Sequence, residues 1–150
     1  MRKSVTICTP EELPLLNMWL AGCRFERHRI TFEAGRALLE IPFLRVERER
    51  RLVAGGVPFF RRWRVPVVEW HLRVSHVESF HVHPVHSEHG KDGDYFNALS
   101  WDSVKGRIEV STAFSRGMEI AVEKLHVAAV DTGKTVTEKY EWPFSGFWES

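Results

Sequence analysis

The residues with the greatest chemical potential are concentrated in one part of the chain. Six of the eight histidines lie between His71 and His89. The sharpest group is His81-Val82-His83, followed by His86, Glu88 and His89. Side chains two apart on a strand project to the same face, so His81 and His83 could offer two imidazole nitrogens to one ion. A third ligand from His86, Glu88 or His89 would complete an open site for a divalent transition metal such as zinc, iron or manganese. The competing reading is that these are ordinary exposed or hydrogen-bonded imidazoles, since the Lys91-Asp92-Gly93-Asp94 stretch that follows is strongly hydrophilic.

The spacing from His81 to Glu88, H-x-H-x4-E, resembles the first half of the cupin motif over eight residues. It departs from that motif at Pro84, in its flanking glycines and in lacking a second half, so no family is assigned. A second group is His76 with Glu78, with Asp94 or Asp102 as helpers. Both fall in the inward register of the strand pattern, where ionisable groups are costly unless paired, and they define a candidate polar cavity. No nucleophile elbow, phosphate-binding glycine loop or dinucleotide fingerprint is present, and the expectation is a protein without a reaction of its own.

The third group is basic and aromatic. Arg61, Arg62, Trp63 and Arg64 follow two phenylalanines, and Arg45, Arg48, Arg50 and Arg51 precede the Gly55-Gly56 break. Between Arg45 and Arg64 seven arginines face only Glu47 and Glu49, a local excess of +5 in a chain of net charge +1, which leaves −4 for the remainder. Such a split steers an acidic partner. Guanidiniums alternating with rings also suit single-stranded nucleic acid, but they equally suit a strand with one face in the core and one in water. An acidic protein partner is the preferred reading of the two.

These groups must be carried by strands. Val68, Trp70, Leu72 and Val74 alternate with Glu69, His71, Arg73 and Ser75, the pattern of a strand with an apolar inner row and a polar outer one. The alternation fails at His76 to Glu78 and returns at Phe80 and Val82, as it would at a pair of bulges or where a strand bends from one sheet to another. Further strands are expected over Ser4 to Cys8, around Ile30 to Phe32, from Arg36 to Val46, from Tyr95 to Trp101, from Arg107 to Phe114, and from Met118 to Val130 with a phase slip near Glu123-Lys124. A turn is expected at Asp131 to Lys134 before a last strand, Thr135 to Tyr140. Ala34-Gly35 reads as a hairpin turn with Gly35 at positive φ, and Pro42 predicts a sheet edge or a bulge. Thr9, Pro10 and Glu12 predict a helix start with a capping box, running through Leu20 to Gly22.

The pattern therefore predicts an all-β fold, an antiparallel β-sandwich or partly open barrel of eight to nine strands with one short N-terminal helix, in a single domain spanning 1–150. No apolar run approaches the ~18 residues of a membrane span, and the N-terminus lacks the apolar core of a secretory signal, so a cytoplasmic protein is expected. Cys8 and Cys23 read as buried free thiols. The functional expectation is an interaction or accessory module with a protein partner, or a homodimer formed through an edge strand or the aromatic tail from Trp142. The metal site at His81 and His83 is the alternative.

Overall fold

The structure is a computed structural model and describes residues 3–50, 52–55, 62–85 and 93–141. Its eleven strands are β1 (Ser4–Ile7), β2 (Arg24–Phe25), β3 (Thr31–Glu33), β4 (Leu38–Val46), β5 (Leu52–Gly55), β6 (Arg62–Val74), β7 (Val77–Val82), β8 (Asp94–Asp102), β9 (Arg107–Thr112), β10 (Met118–Val122) and β11 (Val127–Glu141), with one α-helix, α1 (Leu13–Leu20). All the pairings are antiparallel, in the order β1-β11-β6-β4-β2-β8-β9-β10-β7, with β3 added to β4 and β5 to β6. The expected all-β architecture is present. The strand expected around Ile30 to Phe32 is β3, and those without an expected counterpart are β2 and β5, too brief for an alternation to register.

The path divides into two layers, and among the described residues their strands pair with each other only where β2 meets β8. Side chains from both layers enter one core, with Trp70, Leu72 and Ile41 from the first and Leu99, Ile108 and Ile120 from the second. The inner row of β6 behaves as its alternation requires: Val68, Trp70, Leu72 and Val74 are all buried. Trp70 lies beside Phe43, which meets Phe96 edge-on at 5.8 Å, and Phe96 stacks on Phe25 at 4.5 Å. Burial of a large side chain of this kind stabilises the fold by about 2–3 kcal/mol.

Helix α1 covers one end of this core. Leu13, Leu16 and Leu20 form its buried stripe at helical spacing, and Trp19 packs against Trp70 with ring centroids 5.3 Å apart. The capping box at Thr9 and Glu12 is formed as expected, over a short 3₁₀ turn from Pro10 to Glu12. Asn17 then fastens the helix to β8, its Nδ2 donating to the Leu99 carbonyl at 3.0 Å and its Oδ1 accepting from the Leu99 N–H at 2.8 Å.

The phase fault after Val74 is a crossing between layers. Strand β6 belongs to the first layer and β7 to the second, and only Ser75 and His76 separate them. His76 takes a left-handed φ of 56°. That kink returns Val77 to the core and leaves Glu78 exposed. The slip near Glu123-Lys124 is the reverse crossing, from β10 to β11, and the two bonds Ser75 N–H to His126 O (3.0 Å) and Glu123 N–H to His76 O (2.9 Å) tie the crossings together.

Three local expectations are corrected. Asp131 to Lys134 is a bulge within the continuous β11, held against β6 by the Thr132 hydroxyl donating to Glu69 O at 2.7 Å, with Gly133 at φ 78°. At the β3–β4 hairpin the left-handed residue is Ala37 (φ 48°), because a 3₁₀ turn over Ala34 to Arg36 precedes it. Pro42 lies inside the sheet, at the point where β4 has lost β3 and not yet met β2, so its missing N–H interrupts no ladder on that side. Gly117 is constrained more tightly. A Cβ there would stand 1.7 Å from the Val110 carbonyl oxygen, and its φ is 82°.

Candidate functional site

Four basic side chains converge on a cleft of about 570 Å³ at the end of the molecule capped by α1. Arg24 enters from the start of β2, Arg45 from the end of β4, Arg48 from the turn after it, and Lys139 from the far half of β11. Met18, Trp19, Leu44, Val67 and Tyr95 supply apolar wall, and no carboxylate lines it among the described residues. Arg45 pairs with Val68 and Lys139 with Val65, on the two strands that flank β6.

Three of these cations have carboxylate partners outside the lining, Arg24 with Glu26 at 3.6 Å among them. Arg48 meets Glu141 in a two-pronged contact, Nε to Oε1 and Nη2 to Oε2 both at 3.1 Å. Arg45 is shared: its Nη1 donates to Glu47 and, at 2.8 Å, to Glu49, while its guanidinium lies 4.4 Å over the Trp19 ring. Glu47 is 2% exposed and also accepts from the Trp70 indole N–H at 2.9 Å. Burial, reinforced by the neighbouring Glu49 carboxyl, pushes the Glu47 carboxyl up to about 7 against the opposing pull of Trp70 and Arg45. Cys23, at the back of the same cleft, is buried as expected. Its thiol donates to Trp19 O at 3.2 Å, and burial raises it to about 12, so it stays a neutral apolar group.

Of the basic and aromatic residues singled out in sequence, Arg64 lies outside this cleft and pairs with Glu138 at 3.3 Å, and Trp63 is half-buried. Arg61 and the Arg62 side chain lie outside the described residues. Arg45 and Arg48 were legible as part of the basic stretch. Arg24 and Lys139, 115 positions apart in the chain, were not.

His81 and His83 project to the same outer face of the second layer, their rings meeting edge to face at 4.5 Å. Among the described residues an acid does stand beside them. It is Glu119, which the register of β10 sets directly opposite His81 and whose Oε1 is 3.5 Å from His83 Nε2. Although desolvation works the other way, the His83 hydrogen bond and the charges of Arg107, His83 and His81 hold the Glu119 carboxyl below its usual range. His86, Glu88 and His89 lie outside the described residues. Among the described residues no three His, Cys, Asp or Glu side chains already enclose a common point.

His76 and Glu78 are not brought together. Glu78 faces solvent, while His76 sits at the layer crossing with its ring 6.2 Å from that of His126. That corner holds Cys8, exposed rather than buried, with Sγ 3.4 Å from His126 Nδ1. Asp94, the proposed helper, is buried elsewhere. It accepts from Arg27 Nη2 at 2.7 Å and from the N–H groups of Tyr95 and Phe114 at 2.8 and 2.9 Å.

Compared with protein-family models, with curated proteins and with solved structures, the chain matches none of them. Any functional reading therefore rests on the geometry of these surfaces. No helix among the described residues is long and apolar enough to cross a membrane.

Proposed function

We propose that the protein is a non-catalytic interaction module that receives an acidic polypeptide segment of a partner in the cleft beside α1. The observation that supports this reading is the cleft wall itself: Arg24, Arg45, Arg48 and Lys139 around an apolar floor, with no carboxylate in the lining among the described residues. An acidic segment with apolar side chains between its carboxylates complements both features. Electrostatic complementarity of this kind raises association rate and selects partners more than it adds affinity.

A polypeptide suits the cleft better than a single-stranded nucleic acid. Base stacking needs an open aromatic face, and the rings here are occupied. Trp19 has Arg45 over it and Trp70 beside it, while Tyr95 packs edge-on against Phe114 at 5.9 Å.

The test is fluorescence anisotropy with a labelled peptide alternating glutamate and leucine, run beside single-stranded DNA and RNA of equal charge, at low and moderate salt. The expected result is saturable peptide binding that weakens with salt. Affinity should drop at least about tenfold, or about 1.4 kcal/mol, in an Arg24→Glu/Lys139→Glu variant of unchanged melting temperature. Peptide binding indifferent to salt and to that variant would overturn the reading, and binding of the nucleic acids alone would replace it with the nucleic-acid one.

A further inference from the structure

We propose that His81, His83 and Glu119 form a surface clamp for a divalent transition metal ion. The site is independent of the cleft and lies on the opposite layer. Its third ligand comes from the neighbouring strand β10 and not from the loop after His83.

Two donors are already at ligand spacing. Atoms bound to one ion at about 2.0–2.2 Å with a tetrahedral angle between them stand about 3.4 Å apart, and His83 Nε2 lies 3.5 Å from Glu119 Oε1. His81 is the cross-strand partner of Glu119, and its ring touches that of His83 at 4.5 Å. Because His81 is exposed, it can turn about its side-chain torsions to bring a ring nitrogen to the same point without disturbing the core.

The carboxylate is also oriented from behind. Arg107 Nη1 lies 3.6 Å from the other oxygen, Oε2, and Arg107 is itself held by Glu109 through Nη2 at 3.1 Å and Nε at 3.3 Å. Such outer partners fix the direction of a ligating group. Here they leave Oε1 facing His83. Two imidazoles and one carboxylate form a borderline donor set that suits zinc, nickel or copper(II) and leaves a coordination position for water or a further ligand.

The experiment is calorimetric titration of the full, tag-free chain with zinc and nickel in chelator-free buffer, together with cobalt(II), whose visible bands report the number and type of ligands. All proteins carry Cys8→Ser so that the thiol cannot compete. The expected result is one ion per chain at micromolar affinity. Binding should be lost in a His81→Ala/His83→Ala variant, be weakened at least about tenfold in Glu119→Gln, and be retained in His86→Ala/His89→Ala. Unchanged thermal melting of the metal-free variants, whose substitutions lie on the outer face, separates ligand loss from unfolding. The proposal is overturned by absence of saturable binding, by binding that survives the His81/His83 substitutions, or by binding that fails in His86→Ala/His89→Ala while Glu119→Gln leaves it intact.

Discussion

Asp94 and Glu47 are both almost completely withdrawn from water, at 0% and 2% exposure, and each is answered by an arginine. Their acidities nevertheless move in opposite directions. Burial acts to raise both. At Asp94 it is outweighed by hydrogen bonds from the Thr112 hydroxyl, the Arg27 guanidinium and two backbone N–H groups, and the carboxyl is held below its usual range. Glu47 has the Trp70 indole, but its cation is divided with Glu49, and burial prevails. A buried carboxylate is stabilised by donors committed to it alone, and main-chain donors, fixed by the fold, are the most committed of all.

This contrast assigns the two sites different roles. Asp94 joins the start of β8 to Phe114 and Ser115 beyond β9 and to Arg27 before β3, so it fastens the seam between the layers. Glu47 stands behind the cleft rim with a proton that can leave near neutrality.

The sharpest break of the comparison is Asp94→Asn. The amide can still accept from Tyr95 and Phe114, but it then turns its N–H2 toward Arg27, whose Nε and Nη1 already lack partners. Leaving that cation uncompensated costs roughly 3 kcal/mol, read as a lower urea midpoint at unchanged slope. Because the folded-state pKa of Asp94 is depressed, its contribution is complete above the unfolded value of about 3.9 and is lost as pH falls through the lower folded value. The acid limb of the stability profile should therefore flatten in the variant. A cost under about 1 kcal/mol would show that Asp94 is no more than a spectator of its own network.

Glu47→Gln should behave oppositely and more mildly. With its folded value raised to about 7, Glu47 binds more protons folded than unfolded between about pH 4.3 and about 7, so its contribution to stability falls as pH rises through that window. Glu49, displaced downward, has completed its titration before the window opens. Glutamine mimics the protonated acid and keeps an acceptor for Trp70. The variant should match the parent near pH 5 and exceed it by on the order of 1 kcal/mol near pH 8, as thermal unfolding at the two values would read. A variant less stable than the parent at both values would place an ionised Glu47 in the folded protein.

The contrast also marks what could be read from the chain. The inner row of β6 and the capping box at Thr9 were legible because they depend on spacing along one strand or helix turn. The phase fault at His76 was legible as a fault, and the bend between sheets was among its readings, because a layer crossing must break alternation. The chemistry at the sites was not, since it depends on pairs distant in sequence: Lys139 beside Arg45, Glu119 opposite His81, Cys8 against His126. Cys8 follows a four-residue strand that ends at Ile7, and alternation along so short a strand does not tell whether the thiol is buried. Alternation tells which face a residue takes, while register across strands decides what it meets there, and register is set by bulges such as that at Asp131 to Lys134.

The smallest predicted effect links the buried proton to the proposed partner. When Glu47 is protonated, Arg45 keeps only Glu49 as an anionic partner, and the cleft rim becomes more positive. The other rim cations are Arg24, Arg48 and Lys139. The peptide should then bind a few-fold more tightly at pH 6 than at pH 8 in constant salt, because Arg45 lies near the surface where a single charge is worth under about 1 kcal/mol. His28 is exposed and lies 3.4 Å from the Glu26 that pairs with Arg24, and Glu47→Gln separates the Glu47 contribution from any that arises on that side of the rim. If Glu47 is the source, the variant binds at pH 8 as tightly as the parent does at pH 6 and loses the pH dependence. If the dependence persists unchanged in the variant, its source lies elsewhere on the rim, and Glu47 is a buried acid that the cleft does not sense.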